Sequence, residues 1–316
     1  MFDTIIIGAG PAGMAAAIYA ARREMKTLII AKEIGGQVAL ASEIENYPGF
    51  KSIKNFDLID KIKEQVEGLG VEIKNDEVKK VEKRENFMLY TNKEQFESRT
   101  VILAMGLAPR RLAIPGEIEL NGKGVSYCAN CDGPLYKKKT VAIIGGGNAA
   151  LDAAEVMSKI AAKVYLIHIA DKFNAFEAIV DEVQKKPNIE ILLTSETKEI
   201  IGENRVEKIK ILNKSTNEFR ELHVDGVFIE IGRIAHTDLV ADLVNRDERN
   251  QIIVDEKCKT NAEGIFAAGD TIRSEFKQIT IASGQGTIAA LAAYQYLQLR
   301  AGKNGIVLDR SVKKKN

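Results

Sequence analysis

The sequence predicts an α/β fold made of two copies of one unit, the second set inside the first. Three observations predict it. The chain opens with a β-branched run, a glycine-rich turn and a helix, and the same succession restarts near residue 140. Short apolar runs ending in Gly recur late in the chain. No Pro/Ser-rich stretch divides the halves, so the second unit reads as inserted rather than appended.

Phe2 to Ile7 reads as a buried strand of a parallel sheet covered on both faces. A helix follows from about Pro11 to Arg23, then a second strand from Thr27 to Ala31. Phe56 to Leu69 has helical periodicity. Val71 to Thr100 alternates short strands with polar turns, which predicts a β-meander, and Val101 to Met105 is a further buried strand. In the second copy, Thr140 to Ile144 is the strand, Gly145 to Gly147 the turn, Ala149 to Ala162 the helix and Val164 to His168 the next strand. Val227 to Gly232 and Gly264 to Ala268 are later strands, and Ser283 to Leu299 is a long Ala-rich helix. The crossings between units are expected within Pro109 to Pro115 and Arg233 to Asp242.

A chain of 316 residues has room for two domains of roughly 100–200 residues each. Lys and Arg number 45 against 44 Asp and Glu, a balance that predicts neither a nucleic-acid nor a membrane footprint. Three cysteines exclude a disulfide-stapled secreted scaffold. Ile5 to Ala21 is mostly apolar, but only Asp3 precedes it as a charge, and Gly8, Gly10, Pro11 and Gly13 interrupt it. It lacks the basic flank of a signal peptide and the ~20 apolar residues of a spanning helix. A cytoplasmic protein is expected, with Lys313 to Lys315 as a solvated tail.

Gly8-x-Gly10-x-x-Gly13 lies between a strand and a helix. In that setting the first Gly makes a tight turn, the second admits a pyrophosphate to the backbone and the third lets helix and strand pack closely. The helix N-terminus offers free N–H groups and positive dipole to the phosphates. This is a Rossmann-like, dinucleotide-binding signature. Glu33 stands at the distance expected of a ribose-binding acid, although it also precedes Gly35-Gly36 and could cap a loop. Gly145-x-Gly147-x-x-Ala150 repeats the pattern and predicts a nicotinamide nucleotide. After His168, a 2′-phosphate would want arginines, yet only Lys172 is basic. NADH would want an acid where His168 stands, so NADPH and NADH both remain open, as does a merely structural histidine.

Cys128-Ala-Asn-Cys131 is followed by Asp132. Half a zinc site would need a second pair of ligands, and Cys258, His168, His223 and His236 do not make one. A redox dithiol fits better, with Asp132 placed to move a proton; two unreacted cysteines are the alternative. Cys258 reads as a small apolar residue.

These features together resemble the low-molecular-weight thioredoxin reductases and the related part of the alkyl hydroperoxide reductase flavoprotein. The markers are IIIGAGPAG at 5–13, GGQ at 35–37, EIENYPG at 43–49, AMG at 104–106, CANCDGP at 128–134, GGGNAALDAA at 145–154, GIFAAGD at 264–270 and KQITIASGQG at 277–286. The resemblance implies two Rossmann-like domains of three-layer ββα form: an FAD domain over 1–112 and 242–316, and an inserted nicotinamide-nucleotide domain over 113–241. It implies FAD pyrophosphate on Gly8, Gly10, Pro11, Ala12 and Gly13, with Glu33 at the ribose. Gly36, Gln37, Asn46, Val78, Ala104, Met105 and Gly106 would line the cofactor. Gly269 and Asp270 would meet the ribitol or pyrophosphate, and Lys277, Gln278 and Ile279 the isoalloxazine edge. Gly145, Gly147, Asn148, Ala149, His168 and Gly232 would hold NADPH or NADH. Cys131 would face the flavin, Cys128 would exchange with the protein substrate and Asp132 would be the acid/base. No metal is implied. A homodimer and a rotating inserted domain are further implications.

The chain departs from the family in one place. NADPH-dependent members carry His-Arg-Arg-x-x-x-Arg; here His168-Ile169-Ala170 leads to Asn174. The peroxidase-linked relatives carry Glu where His168 stands. With no fused module ahead of the first strand, electrons are expected to leave to a separate thioredoxin- or glutaredoxin-like protein. A ferredoxin-type donor, service to a peroxiredoxin system and a flavin redox sensor are the competing readings. The retained C-x-x-C-D speaks against the sensor.

Overall fold

The computed structural model describes residues 1–40, 43–44 and 46–305. Glu45 of the 43–49 motif and the expected Lys313–Lys315 tail lie outside them. The chain forms two compact units, Met1–Ala108 with Ile234–Asn316, and Pro109–Arg233. The crossing strands Ala108–Pro109 and Arg233–Ile234 pair as a short ribbon.

The first unit is built on a seven-stranded sheet. Five strands are parallel: Glu72–Asn75, Thr27–Ile34, Phe2–Ala9, Gln95–Leu103 and Ile265–Ala267. Val78–Lys83 and Phe87–Thr91 continue it antiparallel. Side chains alternate across the sheet as strand geometry requires. Ile6 packs with Met14, Ala16 and Ile29 on the helix side, while Ile5 and Ile7 join Val81, Leu89 and Leu103 on the other. These are the three layers of the expected ββα form.

Two strand assignments in this unit differ from expectation, and in the second unit the helix expected to reach Ala162 ends at Ser158. Glu72–Asn75 is not the start of the meander but a parallel edge strand paired with Thr27–Ile34. It follows the helix Asn55–Gly68, and a crossover through a helix returns the chain parallel to the strand before it. Nor is Val101 to Met105 a separate strand. Gln95–Leu103 is continuous, pairing antiparallel with Phe87–Thr91 through its first half and parallel with Phe2–Ala9 through its second.

The second unit repeats the design. Its five parallel strands run in the order Val125–Ser126, Gly226–Ile229, Thr140–Ile144, Lys163–Ile167 and Ile189–Leu192. Val141 and Ile143 face the helix Asn148–Ser158, and Ala142 and Ile144 face a three-stranded antiparallel layer. That layer is Ser195–Ile201, Lys208–Asn213 and Glu218–His223. The terminal helix Ile279–Arg300 packs on the helix Pro11–Arg22 of the first unit through small residues, Gly286, Ala289 and Ala293 among them. Among the described residues no helix is long and apolar enough to cross a membrane.

Candidate active site

In the first unit the turn after Phe2–Ala9 is shaped by what cannot be there. Gly8 has φ +112°, and a Cβ on it would lie 2.2 Å from the Ala104 carbonyl oxygen. A Cβ on Gly13 would lie 1.9 Å from the Gly8 oxygen, so helix and strand touch through glycine alone. Gly10 is different. A Cβ there would find only the Gly36 Cα, at 3.9 Å. Gly10 caps the helix Pro11–Arg22 with no side-chain cap, Pro11 opens it and its first turn carries no acid. The result is an open helix N-terminus walled by the Gly35-Gly36 turn, a cradle whose shape and dipole suit a pyrophosphate. Glu33 is exposed near the end of the neighbouring strand Thr27–Ile34. Ala104 to Gly106 follow the end of Gln95–Leu103.

A polar cluster brings Gln37, Asp270 and Lys277 of the expected residues together. Gln37 Nε2 donates to Asp270 Oδ2 at 2.6 Å. Lys277 Nζ donates to the Asp270 carbonyl at 3.0 Å, and Gln251 Nε2 to the same oxygen at 3.1 Å. Burial holds the Lys277 ammonium below its usual range, against the opposing pull of Asp270 and Asp247. Asn46 Nδ2 donates to Gln278 Oε1 at 3.2 Å, and Gln278 caps the helix that starts at Ile279. Gly269 donates its N–H to Gln285 Oε1 at 3.0 Å. Val78 begins its strand buried in the core rather than in this cluster.

In the second unit Gly145 stands at φ +151° against the Glu230 carbonyl. Gly147 caps the helix Asn148–Ser158, again with no acid in the first turn. Here the face of the turn is covered. A Cβ on Gly146 would lie 2.3 Å from the His168 ring. His168 stacks on Phe173 with centroids 5.8 Å apart, and burial holds its imidazole below its usual range. The loop then zips onto the turn: Asn174 N–H donates to the Gly146 carbonyl and Phe176 N–H to Asn148 Oδ1, each at 2.8 Å. Ile169, at the first position where the resemblance implies an arginine, is half exposed. Gly232, with φ +96°, has open space around it.

Cys128 is disulfide-bonded. It precedes the four-residue helix Ala129–Asp132, which runs into a tighter turn over Gly133–Tyr136. Ser126 Oγ accepts the Cys128 N–H at 3.0 Å, and the Cys128 carbonyl accepts the Asp132 N–H at 3.2 Å. Gly133 sits against the Met157 sulfur and Tyr136 against Gly226, which seats the segment on the second unit's helix and sheet. The Cys131 side chain lies outside the described side chains. Asp132 and Asp225 join burial in raising the Tyr136 hydroxyl above its usual range. Cys258 is a free thiol in the first unit's core, 3% exposed, with φ +58° and its thiol pushed up to about 11 by burial.

Two carboxyl groups went unread in the sequence. Glu117, 1% exposed, accepts from the Leu112 and Ala113 N–H groups at 3.0 and 2.7 Å and from the Tyr127 hydroxyl at 2.7 Å. Glu230 reaches the Ala129 N–H. A charge inside the apolar run Gly226–Gly232 is the signal that could have singled out the second.

Two strand–glycine turn–helix units, one of them an open cradle, and a C-x-x-C segment whose Cys128 is disulfide-bonded define the class of dinucleotide-dependent disulfide oxidoreductases. The pattern of the pyridine nucleotide-disulphide oxidoreductases matches residues 2–286. A thioredoxin reductase of Treponema pallidum is 40% identical over 299 residues, 94% of this chain and 97% of that one. A crystal structure of Lactococcus lactis thioredoxin reductase superposes with TM-score 0.82 at 39% identity, covering 94% of this chain and 99% of that one. A ferredoxin-flavin thioredoxin reductase of Clostridium acetobutylicum is similar too, with TM-score 0.52 at 34% identity over 95% and 98% of the two chains. The chain belongs to the pyridine nucleotide-disulphide oxidoreductase family, in its thioredoxin reductase group.

Proposed function

We propose that this chain is an FAD-dependent thioredoxin-disulfide reductase that passes electrons from a nicotinamide nucleotide to a small thioredoxin-like protein. The observation that carries this is the disulfide-bonded Cys128 at the head of the C-x-x-C helix, in a chain that also holds an open dinucleotide cradle. FAD, when bound, would supply two-electron transfer between a nicotinamide and a disulfide. The cradle at Gly10 and the Asp270 cluster fit it. The amides at the head of Pro11–Arg22 bind the pyrophosphate, and Asp270, fixed by Gln37, orients the ribitol side. Lys277, held by two backbone carbonyls, places a positive charge near the ring-binding residues Gln278 and Ile279.

Cys128 and Cys131 form the exchanging pair, and Cys128 attacks the partner disulfide as a thiolate. Asp132 moves the proton. Replacing Cys128 or Cys131 by Ser is expected to abolish partner reduction while FAD stays bound; full activity in either variant would sink the dithiol assignment. The same reading carries a cytoplasmic homodimer, which light scattering of the holoenzyme tests.

A second reading keeps the dithiol and changes the donor. It is favoured by the arginine-free loop 169–174, by the His168 ring over Gly146, and by likeness to a ferredoxin-flavin enzyme. Anaerobic bleaching of the oxidised flavin with NADPH, and separately with NADH, decides between them. Tight reduction by either settles a nicotinamide donor. Failure of both, with bleaching by reduced ferredoxin, settles the second reading.

A further inference from the structure

Glu230 follows the strand Gly226–Ile229, and its own N–H donates to the Ile144 carbonyl at 2.8 Å. That bond fixes it at the C-terminal edge of the parallel sheet, beside the second glycine turn. Its side chain turns to the C-x-x-C segment, where Oε1 accepts the Ala129 N–H at 3.5 Å. The Ala129 nitrogen is bonded directly to the Cys128 carbonyl carbon, and Cys128 carries the disulfide. All of these residues belong to one compact unit.

The carboxyl has few charges around it. The strands Thr140–Ile144 and Val125–Ser126 and the turn 145–147 carry no ionisable side chain. The C-x-x-C helix carries Asp132, whose charge bears on Tyr136. Arg233, beyond the strand, is the cation acting on Glu230. Burial outweighs both Arg233 and the Ala129 amide and pushes the carboxyl up to about 7. It therefore changes charge in the range where a redox thiol does.

We propose that Glu230 is a positioning residue of the dithiol that binds a proton when the Cys128 disulfide is reduced. The inference rests on the dithiol reading above. Two electrons, supplied by the reductase activity, enter the S–S bond and break it, leaving two negative charges on sulfur. Two protons balance them. One goes to a sulfur and the other to the Glu230 carboxylate, which leaves a single thiolate to attack. Negative charge arriving on Cys128 disfavours an ionised carboxylate held at the amide of the next residue, so reduction strengthens the carboxyl's hold on its proton and the two groups titrate as a pair. When the thiolate attacks, it bonds to one partner sulfur and the partner's S–S bond breaks. The remaining thiol then loses its proton and closes the enzyme disulfide. With no thiolate left beside it, Glu230 releases its proton, and the two protons end on the partner's thiols.

The test is the dithiol–disulfide equilibrium of the holoenzyme against a glutathione or dithiothreitol couple, read by thiol labelling between pH 6 and 8. The comparison is wild type with Glu230→Gln, which keeps the shape and an acceptor and removes the charge. The wild type should bind more protons per reduction above pH 7. Its pH dependence should then be steeper than the variant's, by up to about tenfold in the equilibrium per pH unit, the effect of one proton. Superposable profiles overturn the assignment. Should the variant fail to hold FAD, the reduced-minus-oxidised infrared difference spectrum of the wild type decides. A carboxylic acid band gained on reduction near pH 7.5 and retained in Asp132→Asn supports the proposal, and its absence overturns it. Partner reduction retained by Cys128→Ser would overturn the dithiol reading itself, whereas superposable profiles with an inactive Cys128→Ser overturn only the role of Glu230.

Discussion

Glu117 and Glu230 show what one carboxyl does when its partners are backbone amides. Glu117 closes the start of the inserted unit by holding two N–H groups and the Tyr127 hydroxyl, whose own titration is pushed up to about 12 by burial and by Glu117. Glu117→Ala would leave those donors unpaired in a dry place. It should cost about 3 kcal/mol or more in denaturant unfolding, since each buried unsatisfied group costs roughly 1–3 kcal/mol. Glu230 adds a pH dependence. Its folded-state titration, near 7, lies above the ordinary carboxyl value of 4.5, so the folded state holds the proton more tightly than the unfolded chain does. Stability from this group is present below 4.5 and is lost as pH rises through about 7, by at most about 3 kcal/mol. Unfolding curves of wild type and Glu230→Gln at pH 5 and 8 should differ in that direction. The Glu230 contact was not legible beforehand, because its partner lies 101 residues away along the chain. The tight backbone of both glycine turns was legible, because it is set by a few neighbouring residues.

Elements were legible in proportion to how apolar they are. The first strand, both glycine-turn helices and the terminal helix were expected close to where they stand. The three strands Ser195–Ile201, Lys208–Asn213 and Glu218–His223 were not, since their lysines and glutamates hide the alternation of Ile209, Ile211 and Leu222 into the core. The terminal helix begins at Ile279, four residues before the Ala-rich pattern that announced it, because Gln278 caps it within a polar segment. Its packing gives a sharp prediction. A Cβ at Gly286 would lie 2.0 Å from the Ala12 carbonyl in the helix that follows the first glycine turn. Gly286→Ala should therefore spread the two helices, lowering stability by about 1–3 kcal/mol, and, on the proposed cradle at Gly10, weaken FAD retention on dialysis. The loop after His168 makes another. Its hold on the glycine turn uses the Asn174 backbone, so the side chains at 169, 170 and 174 can change without breaking it. Arginines there should tighten NADPH binding about tenfold or more, because guanidinium–phosphate pairs are strong. A flavin-bleaching titration measures it.

At the scale of the whole molecule, the repeated strand–turn–helix announced two units, and the repeat is real down to the alternation of side chains across each sheet. Ile6 with Ile5 and Ile143 with Ala142 divide between faces in the same way. The sequence could not show that one continuous strand, Gln95–Leu103, serves both the parallel sheet and the meander, since pairing direction is not written in composition. The distribution of sulfur over the two units has a practical consequence. The inserted unit holds the C-x-x-C cysteines, while Cys258 is sealed in the other unit's core with its thiol near 11. A native thiol count at neutral pH is then blind to Cys258 and needs no correction for it. Labelling of the folded enzyme becomes a gauge of oxidation state alone, and one further thiol per chain should surface only when the first unit unfolds, making the same reagent a reporter of that unit's collapse.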